Sequence, residues 1–517
     1  MSEHRHINPW LIAVSVMFAT FMEVLDTTVV NVSLPHIAGS LSATIDEATW
    51  ALTSYLVANA IILPMTGWLA SVFGRKRLLM ISVTGFTLAS FLCGLAPTLP
   101  MLIVFRVMQG ATGGALQPLS QAVLLEAFPP HERGKAMAFW ALGIVVAPIL
   151  GPVLGGYLTD SYSWRWVFYI NLPVGIASII MTKLYIFDPP YLRGSESRKV
   201  DYWGIGMLAV GIGALQIVLD KGQEVDWFGS HMITVLALIS AATLIGLVIH
   251  ELTTDDPVVD LRVFKERSYA VGVFLMTVVG FVLYGSMVLL PIMLQTVLGY
   301  PALQAGIAMA PRGIGSFAMM PLTGIMTGRF DNRKLLAAGF FVGGLTLIWL
   351  GDLNLQAGYW DIFWPQLIQG VGMSLLFVPL TTVTMNAIPR ERMGNATSLF
   401  NLMRNIGGSV GIAMTGTMLA RQQQMVTSVL GSNVTAYDPA ARAMLAQTRA
   451  AMMAAGADPT TATNRAYGAL FGMVQQQATM VSFVSLFRLL GFLFVVLIPL
   501  VLLMKRPRRG APPVAAH

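Results

Sequence analysis

Apolar runs of about twenty residues recur along nearly the whole chain between short polar breaks, the length a helix needs to cross roughly 30 Å of hydrocarbon. They fall at 11–33, 48–70, 78–96, 100–125, 137–158, 165–186, 203–220, 232–251, 269–297, 302–327, 335–351, 362–387, 395–420 and 481–503. The pattern predicts an all-α membrane protein with fourteen transmembrane helices. One connection differs in kind: 421–479 is moderately polar, rich in Ala, Gln and Thr, and carries QQQ at 422–424 and again at 475–477. Its composition favours extended helices or a helical hairpin over strands, with a flexible loop as the alternative. It is expected to protrude from the membrane.

Composition supports lipid as the main solvent. Of 517 residues, 55% are hydrophobic and only 11% charged, too few to solvate the surface of globular domains of that length; mean hydropathy is +0.69. Met1 to Trp10 lacks the features of a cleaved leader, and the first apolar run has spanning length, so it reads as a retained helix. The single cysteine, Cys93, lies within a span, which excludes a disulfide framework and a cysteine metal site.

The net charge of +7 is distributed by loop and not gathered in a nucleic-acid patch. Basic residues crowd alternate connections, at Arg75, Lys76 and Arg77, Arg133 and Lys135, Arg193 to Lys199, Arg262 to Arg267, Arg329 to Lys334, Arg390 and Arg392, and Lys505 to Arg509. The opposite connections hold few. This asymmetry places both termini in the cytoplasm of an inner-membrane, multi-pass protein.

The segment from Arg106 to Ala136 repeats from Gln366 to Ala396, aligning Gln109-Gly110 with Gln369-Gly370 and Pro130 to Arg133 with Pro389 to Arg392. A weaker echo joins Gly67 to Arg77 with Gly324 to Lys334. Two six-helix halves follow, at 1–200 and 256–517, with two inserted helices at 201–255. Parallel half-repeats of this kind enclose a central path.

Ionisable groups within spans are functional candidates, with structural ion pairs as the competing explanation. Glu23 and Asp26 share a face of the first helix, roughly 10 to 15 Å from its outer end by the 1.5 Å rise per residue. Arg106, on the antiparallel fourth helix, lies at a depth near that of Asp26. The two can pair, either as a proton-coupling element that opens as the protein rocks or as a permanent structural bridge. The repeat aligns Arg106 with Gln366 and Asp26 with Val282, which confines this chemistry to the first half.

In the second half the deep charges are Arg312 and Arg404, without an acidic residue at similar depth in that half. Either they bond backbone carbonyls or their counterion is a substrate, which favours hydrophobic weak acids. Tyr55, Asn59, Gln109, Gln117, Gln121 and Gln295 are candidates to line the cavity. Pro148, Gly151, Pro152, Gly155 and Gly156 give the fifth helix bends and a small-residue face for close packing.

Several motifs carry a resemblance: LDTTVVNVSLP at 25–35, GWLASVFGRKR at 67–77, RVMQG at 106–110, APILGPVLGG at 147–156 and WRWVFYINLPVG at 164–175. Together the sequence resembles the fourteen-helix drug:proton antiporters of the major facilitator superfamily, over almost its entire length. The resemblance implies proton-driven export of hydrophobic amphiphiles and proton coupling at Asp26 and Arg106. It implies that the fifth-helix motif seals against proton leakage, and that Gly67, Gly74, Arg75, Lys76 and Arg77 form a cytoplasmic gating loop. It further implies a periplasmic adaptor and an outer-membrane channel as partners, with the 421–479 segment a candidate to dock the adaptor. One departure is Ser71, where the family usually has an Asp that helps latch the two halves; the latch here is expected to be different or weaker.

No nucleotide-binding loop, HExxH motif or buried histidine constellation is present, so the sequence suggests neither an enzyme nor a cofactor or metal site. A proton-coupled importer or uniporter on the same fold is the alternative reading.

Overall fold

In the computed structural model, which describes residues 8–188, 200–435 and 437–504, every regular element among the described residues is helical. The first group is α1 (Pro9–Ser40), α2 (Ile45–Phe73), α3 (Arg75–Leu95), α4 (Leu99–Ala127), α5 (Arg133–Ser161) and α6 (Trp166–Tyr185). Two helices intervene, α7 (Tyr202–Lys221) and α8 (His231–Thr253). The second group is α9 (Arg267–Thr296), α10 (Ala302–Arg329), α11 (Asn332–Leu350), α12 (Tyr359–Asn386), α13 (Met393–Asn433), a shorter α14 (Pro439–Ala454) and α15 (Pro459–Val501).

Eleven of these helices are long and apolar enough to cross a membrane, and α5 makes twelve when its two segments, bent by 41° between Pro148 and Val153, count as one span. α10 and α13, of 28 and 41 residues, have the length but not the same apolarity. In α13 the polar positions Thr397, Ser398, Asn401 and Arg404 are buried against other helices, so low hydropathy here reflects a protein environment.

Local chemistry sets the breaks. Thr44 and Glu47 cap each other's backbone N–H groups at the start of α2, and Gly74, at φ +81°, turns the chain directly into α3. Within each group α1 packs on α5, α2 on α4, α9 on α13 and α10 on α12, and each of these pairs runs in the same direction, since its contacts advance together along both helices; the groups touch where α2 meets α13 and α5 meets α10. α7 rests on both α2 and α13.

The 421–479 segment is helical for most of its length: α13 continues to Asn433, α14 folds back onto α15, and α15 begins at Pro459. Gln423 Nε2 donates to Thr479 Oγ1 at 2.6 Å and ties the two long helices at the base of this extension.

Candidate functional site

Asp26 and Arg106 meet in the interior of the first group, both with fully buried side chains. Arg106 Nη1 donates to Asp26 Oδ2 at 2.6 Å, Gln109 Nε2 donates to Asp26 Oδ1 at 2.9 Å, and Asn171 Nδ2 donates to the same oxygen at 2.8 Å. Each donor is itself held. Arg106 Nε donates to Ala51 O, its Nη1 also donates to Gln109 Oε1, and Asn171 also donates to Ser90 Oγ. The guanidinium carbon lies 4.2 Å from the Tyr55 ring centroid, so Tyr55 serves as a cation–π platform here.

Burying two charges costs several kcal/mol per ion unless both are paired and hydrogen-bonded; three donors satisfy the Asp26 carboxylate, while Arg106 Nη2 has no hydrogen-bond partner among the described residues. Proton exchange at Asp26 therefore needs the cluster to open to water. Protonation would in turn release Arg106 from its counter-charge.

Glu23, one turn earlier on α1, is 5% exposed. Its Oε1 accepts from Asn59 Nδ2 at 3.0 Å, and its Oε2 is buried without a hydrogen-bond partner. Gln117 and Arg404 lie within electrostatic reach of this carboxylate. Arg404 Nη2 donates to Gln117 Oε1, and one turn away Asn401 Nδ2 donates to Gln121 Oε1 at 2.6 Å, so α13 and α4 are bonded across the two groups. The expectation that the second half brings no acid to the depth of Arg404 did not cover the first half, from which folding brings Glu23.

Arg312 is partly buried, with Nη2 lacking a hydrogen-bond partner among the described residues. Gln295 does not join these groups: it is exposed near the end of α9 and its Nε2 donates to Pro291 O in its own helix. In α5, Gly151 and Gly155 lie where a Cβ would meet Thr28 and Val29 of α1 at 2.1 and 2.9 Å, while Gly156 faces open space. Pro148 begins the bend; the Pro152 side chain lies outside the described residues.

At the basic end, Ser71 Oγ donates to Trp68 O in its own helix. Arg75 pairs with Glu126 on α4, and Lys76 Nζ donates to Lys183 O and sits 4.6 Å from the Phe187 ring. Arg77 is exposed. The two groups close on each other through glycine instead. A Cβ on Gly67 would fall 2.6 Å from Asn395 Cα, and one on Gly324 would fall 3.1 Å from Gly134 O and Lys135 Cα. Since Gly67 and Gly324 are matched by the sequence echo and Gly134 and Gly394 by the repeat, the contact is reciprocal. Arg133 Nη1 adds a hydrogen bond to Asn386 at 3.0 Å, and Asn395 exchanges two with the Asp260 backbone.

Asn171, Ser90 and Asn401 were not singled out from sequence. Asn171 lies inside the quoted WRWVFYINLPVG motif, and a polar side chain in an apolar span was the signal that could have found it. No group of three or more His, Cys, Asp or Glu able to hold a metal occurs among the described residues.

Comparison with known proteins matches residues 16–412 to the Major Facilitator Superfamily. The chain is 38% identical over 503 residues to multidrug export protein EmrB of Escherichia coli strain K12, covering 96% of this chain and 95% of the relative. It is 39% identical over 501 residues to fatty acid resistance protein FarB of Neisseria gonorrhoeae, covering 96% of each. Among solved structures, the human organic anion transporter MFSD10 superposes with a TM-score of 0.60 at 11% identity, covering 95% of this chain and all of that one. The proton:xylose symporter XylE superposes with a TM-score of 0.59 at 17% identity, covering 81% and 90%. These two likenesses carry the fold alone. By the span of the family match and the identity to full-length relatives, the chain belongs to the Major Facilitator Superfamily.

Proposed function

We propose that this chain is a proton-driven antiporter that exports hydrophobic amphiphilic compounds, weak acids among them. The observation that carries this reading is the buried Asp26–Arg106 pair, set in one group only, inside a protein whose two groups close on each other at the basic end. An acid satisfied in the dry state and releasable by rocking has the properties a coupling site needs. Glu23, Asn59, Gln117, Gln121 and Arg404 then form the polar lining of the path at the seam, and Arg312 supplies a second guanidinium. The names of the EmrB and FarB relatives support export and resistance as the role.

In the same reading the crossings number fourteen, with α10 and α13 as the two protein-shielded spans, and both termini lie in the cytoplasm of an inner membrane. The bundles occupy 1–200 and 256–517, with linker helices at 201–255. The α13–α14–α15 extension faces the periplasm, where it docks an adaptor that leads to an outer-membrane channel.

Inverted membrane vesicles loaded with a pH-sensitive dye test the coupling. Addition of a hydrophobic weak acid, and separately of a lipophilic cation, is expected to trigger proton release with the intact chain and none with Asp26→Asn. An unaltered response in the variant moves the coupling site away from Asp26. Deletion of 425–475 is expected to abolish adaptor co-purification; undiminished recovery removes the extension from that role.

A further inference from the structure

The two groups contain one polar arrangement twice, with a carboxylate in the first and none in the second. In the first, Gln109 Oε1 accepts from Arg106 at 2.8 Å and its Nε2 donates to Asp26 Oδ1 at 2.9 Å. In the second, Gln369 Oε1 accepts from Gln366 Nε2 at 3.2 Å with the same three-residue spacing, and Gln369 Nε2 has no acceptor.

The correspondence is one of packing as well as sequence. A Cβ on Gly110 would fall 2.3 Å from Tyr55 O, and one on Gly370 would fall 2.0 Å from Arg312 O. Arg312 thus stands on α10 where Tyr55 stands on α2. Gly155 lies against Val29 of α1, and Gly285 of α9 lies against Thr415 of α13. This register matches α1 with α9 so that the place of Asp26 is taken by Val282, which is fully buried.

Three polar atoms in this second arrangement have no hydrogen-bond partner among the described residues: Arg312 Nη2, Gln366 Oε1 and Gln369 Nε2. Gln366 is 2% exposed and Gln369 is 0% exposed. Tyr55 Oη, Arg106 Nη2 and Asn171 Oδ1 lack a partner in the first arrangement as well; what differs is the buried amide donor, since Gln109 Nε2 has the Asp26 carboxylate and Gln369 Nε2 has no acceptor. We propose that the carboxyl group of an amphiphilic weak acid completes this site, beside Val282, in the role that the Asp26 carboxylate has in the first group. Its oxygens accept from Arg312 and from Gln369 Nε2. Two donors and one acceptor, Gln366 Oε1, suit a carboxyl group that exchanges between its charged and protonated forms.

This inference rests on the reading of the chain as an amphiphile exporter and adds the residues that select a substrate class. The test uses the purified full chain in lipid nanodiscs, titrated calorimetrically with octanoate and, separately, with octyltrimethylammonium. The intact chain is expected to bind both. Arg312→Gln is expected to weaken octanoate at least tenfold and leave the ammonium compound within twofold. Val282→Asp, which supplies the carboxylate from within, is expected to exclude octanoate to the same degree and raise the melting temperature. Gln369→Leu replaces Arg312→Gln, with the same expectation, if that variant fails to fold. Octanoate binding unchanged in these variants overturns the proposal. An intact chain that binds the ammonium compound and not octanoate overturns it while the export reading stands, and binding of neither removes both.

Discussion

Arg404 on α13 donates to Gln117 on α4, and this hydrogen bond joins the two groups of helices well away from either end. The adjacent Asn401–Gln121 bond extends the junction by one turn. Glu23 sits within electrostatic reach of Arg404, so the seam holds an acid from one side and a base from the other without direct pairing. A seam of neutral amides between two charges is easily opened compared with a direct ion pair.

Removal of the amide at the seam should therefore cost stability. Gln117→Leu leaves Arg404 with only a 3.4 Å contact to Asn405, and loss of a hydrogen bond to a charged group is worth about 1.5–3 kcal/mol. A lowered thermal midpoint in detergent is expected. A midpoint equal to that of the intact chain would show that the bond adds nothing.

The three donors to Asp26 are unequal. Asp26→Asn leaves Arg106 buried without its counter-charge, a change that costs about 3–5 kcal/mol when one partner of a buried pair is removed. Asn171→Ala removes one neutral donor, worth about 1 kcal/mol. Thermal unfolding should rank Asp26→Asn well below Asn171→Ala, and substrate-driven proton release should vanish in the first and persist in the second. The reverse ranking would contradict the geometry.

The reciprocal glycine contact predicts a conformational effect of a single small side chain. Gly67→Val places a branched side chain where the backbone of Asn395 now lies, which forces α2 and α13 apart at the basic end. Spin-label distances between α2 and α13 at that end should lengthen, and Gly324→Val should do the same between α10 and α5. Unchanged distances in both would mean that the backbone contact does not hold the end closed.

Gln295→Ala is expected to leave transport unchanged, because its amide bonds its own helix at an exposed position. A transport defect would place a ligand at the end of α9.

Much of the architecture was legible because lipid and water divide the sequence so sharply. The apolar runs located the helices, and the QG repeat located the correspondence between α4 and α12. Helix ends were less legible: α1 runs on to Ser40 and α13 to Asn433, since a helix does not stop where hydrocarbon does. The Asp26–Arg106 juxtaposition followed from depth along antiparallel helices. The nearness of Glu23 to Arg404 did not, because depth gives no information on which helices of opposite halves meet. Gln295 misled for a related reason: a glutamine at the end of a span has the same composition signal whether it faces a cavity or caps its own helix.

α13 has a mechanical consequence of its own. It is a single rod of 41 residues, about 60 Å long at the rise of 1.5 Å per residue. Its near end is wedged against Gly67, Arg404 stands about a quarter of the way along it, and its far end bears the extension with α14 and α15. A tilt of about 10° pivoting near the wedge would sweep the far tip through roughly 10 Å over that length. The rod's length thus turns a small change of angle at the glycine contact into a large displacement of the extension.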